Sequence, residues 1–103
     1  MKVVINTCFG GFGLSRKAVD LYCKKKGINP GKWDSQFKFY HDFQDWNISR
    51  DDPILIEVIE QLGSDANGFC AQLSIVNIPD EVSWYIHEYD GLEHVAETHR
   101  TWR

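Results

Sequence analysis

The stretch Asp52-Pro53-Ile54-Leu55-Ile56-Glu57-Val58-Ile59-Glu60-Gln61-Leu62-Gly63 constrains the fold more than any other part of the chain. Asp52 is a good helix N-cap, and Pro53 sits at the first helical position, where its missing N–H costs nothing. Ile54, Leu55, Val58, Ile59 and Leu62 recur at helical spacing, with Glu57, Glu60 and Gln61 between them. Gly63 supplies a stop. An apolar stripe this wide has to be covered by another layer, so those side chains are expected to be largely buried against a sheet.

The rest of the chain supplies that layer. Lys2 to Cys8 is short and rich in β-branched residues, a strand signature. Gly10, Gly11 and Gly13 break it, and Gly11 or Gly13 is expected at positive φ. Ser15 can accept from free backbone N–H groups at a helix start, with Leu14 and Val19 placed as a hydrophobic staple. The helix is predicted over Arg16 to Lys26. Ala18, Val19, Tyr22 and Cys23 form its inner stripe, Lys24, Lys25 and Lys26 suit its negative end, and Gly27 closes it. Asn29-Pro30-Gly31 then signals a turn. Gln36 to His41 reads as a strand with Phe37 and Phe39 on one face, and Phe43, Trp46 and Ile48 suit an irregular aromatic layer. Ser64 to Gly68 reads as a loop.

Leu73 to Ile78 reads as a strand ended by Pro79-Asp80. Val82, Trp84 and Ile86 alternate with Ser83, Tyr85 and His87, as in a half-buried strand. Asp90-Gly91 is a two-residue hairpin turn, which sets Tyr89 opposite Leu92 and His87 opposite His94. The same residues also satisfy a helix: Asp90 and Glu93 make a capping box, and Leu92, Val95, Ala96 and His99 have helical spacing. The hairpin is favoured, because Val95 and Thr98 suit strands, and it would add a strand to the sheet. The whole reads as a single α+β domain over residues 1–103, with two helices packed on one face of a small, mostly antiparallel sheet.

Composition narrows the function. Aromatic residues make up 14% of the chain, and such rings anchor interfaces. No apolar run approaches the roughly 20 residues that span a bilayer, and the opening residues carry no secretory leader pattern. Cys8, Cys23 and Cys70 are too widely spaced for a disulfide framework or a metal clamp, which fits reduced thiols in a cytoplasm. The net charge of −4 is uneven: residues 1–50 hold nine Lys/Arg and four Asp/Glu, residues 51–103 two and eleven. The simpler reading is that the halves attract one another within the fold. The sharper one is an acidic face for a basic partner, with Asp80, Glu81, Glu88 and Glu93 as its contacts. The acidic half argues against general nucleic-acid binding.

Few residues suggest chemistry. Gly10, Gly11, Gly13, Ser15 and Arg16 join a strand to a helix start, where backbone N–H groups can meet a phosphate. The run lacks the Lys of a P-loop, and Ser15 replaces the last glycine of the dinucleotide fingerprint, so a tight turn is the simpler account. Cys8 lies at a strand end before a helix, yet the first arginine after it, Arg16, is too distant for a cysteine-phosphatase loop. His87 and His94 are the metal candidates, without a third ligand at a diagnostic spacing, and a solvated cross-strand pair is the simpler account. Nothing calls for a resident cofactor. Trp102, beside Arg100 and Arg103, either packs on the domain or meets a partner.

Two stretches resemble known sequences. Lys2-Val-Val-Ile-Asn-Thr-Cys-Phe-Gly-Gly-Phe-Gly-Leu-Ser15 and Glu88-Tyr-Asp-Gly-Leu-Glu-His-Val-Ala-Glu-Thr-His-Arg-Thr-Trp-Arg103 are similar to small uncharacterised proteins encoded by tailed phages and prophages. The resemblance implies an accessory protein acting in the cytoplasm of a bacterial host, and it brings no catalytic residue with it. The leading expectation is a non-enzymatic binder that inhibits a host or defence protein, in the manner of an anti-CRISPR. The alternatives are a small-ligand binder holding a phosphate or signalling nucleotide at the glycine-rich loop, and a small enzyme using Cys8.

Overall fold

The structure, a computed structural model, describes residues 1–97. Its elements run β1 (Lys2–Asn6), α1 (Arg16–Lys26), β2 (Trp33–Asp34), β3 (Phe39–Tyr40), α2 (Pro53–Leu62), β4 (Leu73–Asn77), β5 (Trp84–Tyr89) and β6 (Leu92–Glu97). Single 3-10 turns lie at Asp45–Asn47 and Gly63–Ala66. The fold is α+β, and among the described residues every strand pairing is antiparallel. The strands form three two-stranded sheets, β1–β4, β2–β3 and β5–β6, in place of the one expected. The reason lies at the outer edge of β1. There the N–H of Val4 goes to the carbonyl of Arg50 (2.9 Å), and that of Asn6 to the Glu93 carboxylate (2.8 Å). A loop and a side chain thus take the donors that a neighbouring strand would have used.

Both helices start and stop where their caps dictate. The Ser15 hydroxyl accepts from Ala18 N–H (3.1 Å), and Gly27 closes α1 at φ 73°. Leu14 and Val19 are buried as a staple. Asp52 accepts from Ile54 N–H (2.8 Å) and Leu55 N–H (3.4 Å). In α2 the buried residues are Leu55, Ile56, Val58 and Ile59, whereas Ile54 and Leu62 are half-buried at the rim. The buried arc takes in Ile56 because α2 is covered by α1 as well as by β1 and β4. Val4 joins α1 and α2 in the core, with Leu73 and Ile75 packed against it.

Other boundaries move for local reasons. β1 ends at Asn6 because the Asn6 carboxamide accepts from Cys8 N–H (3.3 Å) and turns the chain. Over Gln36 to His41 only Phe39 and Tyr40 pair, with Asp34 and Trp33. The Asp34 carboxylate accepts from Gln36 and Phe37 N–H (both 2.9 Å), which makes a turn there and leaves Phe37 and Phe39 exposed. Phe43 packs on Tyr22 with ring centroids 5.8 Å apart, and Ile48 is buried, but Trp46 is exposed. At Asp90-Gly91 the hairpin forms and the helix does not: both residues have positive φ, and His87 faces His94. Thr98, His99 and the segment containing Trp102 lie outside the described residues.

The uneven charge is largely matched within the fold. Among the described residues, each ion pair made by Lys, Arg or the terminal ammonium joins residues 1–50 to residues 51–97: Lys2–Glu60, Lys17–Asp65, Lys25–Glu57, Lys26–Asp52, Arg50–Glu93 and Met1–Asp80. No helix among these residues is long and apolar enough to cross a membrane.

Candidate functional site

The glycine-rich loop is built for close backbone approach. A Cβ on Gly10 would lie 2.7 Å from the Cys70 Cβ, and one on Gly91 would lie 2.2 Å from the Gly11 nitrogen. Both glycines have positive φ, so L side chains are excluded twice over. Gly11 is also at positive φ, whereas Gly13 is not. Gly10 N–H donates to the Asp90 carbonyl (3.0 Å), and Gly68 N–H donates to the Gly13 carbonyl (2.9 Å). Backbone from residues 10–11, 70 and 90–91 therefore meets at one junction.

That use consumes much of what an anion would need. Leu14 N–H goes to the Asp45 carboxylate (2.9 Å), Ser15 N–H to the Ala66 carbonyl (2.9 Å), and the Ser15 hydroxyl to the Asp65 carbonyl (2.6 Å). Arg16 turns away: its guanidinium lies 4.7 Å over the Trp33 ring and donates to the Tyr40 hydroxyl (3.2 Å). The five residues of the sequence motif do not converge on one point.

The acidic candidates divide. Glu81 and Glu88 are exposed, and Glu88 accepts from Gly91 N–H. Asp80 is exposed but pairs with the Met1 ammonium, which holds its carboxyl below the usual range. Glu93 is the correction. It is buried, forms a two-pronged pair with Arg50 (2.6 and 2.9 Å) and accepts from Asn6 N–H, so it holds the hairpin and is no partner contact. The cause is tertiary: β6 turns this carboxylate toward β1, and Arg50, stacked 3.7 Å over Phe12, meets it there. Asn6 completes the seam. Its amide donates to the Cys8 and Gly91 carbonyls (2.6 and 2.7 Å) and its oxygen accepts from Gln72 N–H (2.8 Å). An asparagine closing an otherwise apolar strand was the signal for this hub.

His87 and His94 have ring centroids 4.7 Å apart and are exposed, and no group of three or more His, Cys, Asp or Glu among the described residues could hold a metal ion. Cys8 is half-buried, Cys70 is exposed, and Cys23 is buried with its thiol pushed up by burial and then by Asp20.

Sequence reasoning missed the exposed rings. Phe9, Phe69 and Tyr89 are 60%, 97% and 68% exposed. Each immediately precedes one of the backbone positions that meet at the glycine junction, Gly10, Cys70 and Asp90. Three exposed rings thus flank one backbone junction, and exposed Glu88 and Asp90 stand on either side of Tyr89 in the chain. No protein-family model matches the chain, and neither does any curated protein or solved structure.

Proposed function

We propose that this chain is a binding protein of the phage accessory kind, which occludes a host or defence protein in a bacterial cytoplasm. The observation that carries the reading is the trio Phe9, Phe69 and Tyr89, displayed on a backbone junction where glycines exclude side chains. Exposed aromatic groups on a rigid base are the usual anchors of an interface, and a Phe left almost wholly in water has no folding role to explain it. The exposed acids Glu88 and Asp90, on either side of Tyr89, suit a partner surface whose rim is basic, and exposed Glu81 adds to the acidic surface, whereas Asp80 is paired with the Met1 ammonium. The resemblance of the two terminal stretches to phage-encoded proteins supports the setting.

The test uses the full chain, expressed in bacteria that carry a defence system, with phage plating efficiency as the readout. Phe69→Ser should abolish the effect and the co-purification of its target while leaving the circular dichroism spectrum unchanged. Reversing Glu81 and Glu88 should weaken binding and reduce its salt dependence. Cys8→Ala should change neither. Loss of the effect in folded Cys8→Ala, with Phe69→Ser fully active, would replace this reading with an enzymatic one.

A further inference from the structure

A second feature lies away from the aromatic tip. Between α1, the β2–β3 hairpin and the turn at Asp45–Asn47 is a pocket of about 200 Å³. Buried Leu14, Val19 and Tyr40 close its floor, and half-buried Trp33 and Phe43 form its sides. Phe39 and Trp46 stand exposed at its mouth. A cavity of about 150 Å³ holds benzene, so this one accepts a single bicyclic ring and leaves any substituent outside.

The walls are fixed in advance. Trp33 and Tyr40 meet edge to face at 5.0 Å. Arg16 lies over Trp33 and donates to the Tyr40 hydroxyl, which in turn donates to Asp20. Gln44 also lines the pocket, its Oε1 accepting from the Asn47 amide (3.3 Å), and two further polar groups give the pocket a direction. Asp45 is held by Leu14 N–H through Oδ2, while its Oδ1 has no hydrogen-bond partner among the described residues. Lys38, also lining the pocket, is exposed, makes no ion pair among the described residues, and sits at φ 61°, a conformation a non-glycine residue adopts at a cost.

We propose that this pocket binds a purine mononucleotide of the guanine type. The rings stack the base, Asp45 accepts from its edge, and Lys38 meets the phosphate outside the mouth. Guanine presents two adjacent N–H donors to a carboxylate. Adenine presents one donor beside an acceptor nitrogen, which the same carboxylate repels. An organic cation fits less well, because the Lys38 ammonium lines the same pocket. The net charge of −4 favours a free nucleotide over a base within a nucleic-acid strand. This site is independent of the aromatic tip.

Titration of the full chain with guanosine 5′-monophosphate, followed by tryptophan fluorescence and calorimetry, tests it. Saturable binding is expected, roughly tenfold or more tighter than for adenosine 5′-monophosphate, since a mismatched edge sets an acceptor against the half-buried Asp45 carboxylate. Asp45→Asn keeps an acceptor for Leu14 N–H and should erase that preference. Lys38→Gly relieves the backbone and should lower the affinity of the monophosphate to that of guanosine, with guanosine itself unchanged. The proposal is overturned if the folded chain shows no saturable binding at millimolar nucleotide, or no guanine preference. Tighter binding of tetramethylammonium, or of a short guanine-containing oligonucleotide, would likewise overturn it in favour of a cation or a strand.

Discussion

The helical layer and the β5–β6 hairpin are held to β1 by opposite means. On one side, Leu55, Val58, Ala18 and Val4 exclude water completely, and the contact is apolar. On the other, the hairpin is joined through Asn6, Glu93 and Arg50, a polar seam in which each buried side-chain donor and acceptor has a partner. Apolar burial is tolerant of geometry, because its free energy follows area. A buried polar seam is not: every member must be satisfied, and the loss of one strands the others. The helical layer should therefore degrade gradually under mutation, and the hairpin abruptly.

The strongest way to break this contrast is Glu93→Ala. It leaves Arg50 uncompensated and Asn6 N–H without its acceptor, and should cost about 3–5 kcal/mol. Amide exchange should accelerate over residues 84–97 before it does in α2. If the hairpin amides stayed as protected as those of α2, the seam would not be what holds it. Leu55→Ala comes next, at about 3 kcal/mol in a urea melt. Here exchange should rise across α1, α2 and β1 together, because the cavity lies in their shared core.

A smaller effect sharpens the comparison at α2. Asp52→Ala removes the N-cap and should cost about 1 kcal/mol. Burial pushes the Asp52 carboxyl up, but Tyr22, Ile54 N–H and Lys26 together outweigh it and hold the group below the usual carboxylate range. A folded value below the unfolded one means that the stabilisation is present above the unfolded value, near pH 4, and is lost as pH falls through the folded one. Asp52→Asn should flatten that acid limb of the stability curve. The smallest effect belongs to the surface: Lys25→Ala breaks the pair with Glu57 and should shift stability by no more than about 0.5 kcal/mol.

Legibility followed the same division. The caps Ser15 and Asp52, the stops Gly27 and Gly63, the α1 stripe and the Asp90-Gly91 register all depend on residues close together in the chain, and all were readable. Where contacts are distant, reading failed in particular ways. Glu93 looked like a surface acid because its partner, Arg50, is 43 residues away. The glycines read as a tight turn, with a phosphate loop as the alternative, and nothing local shows Cys70 and Gly91 pressed against them. Phe69 carries no local signal of its role, and it stands in water.

Local interactions set the helices, their ends and the hairpin turn, because capping, side-chain spacing and positive-φ turns act over a few residues. Packing set the split into three sheets, the buried role of Glu93, the exposed trio and the aromatic pocket. Each of these depends on which groups, distant in the chain, are brought against one another. That outcome is a competition among donors and shapes far apart in the chain, and it is resolved when the layers come together.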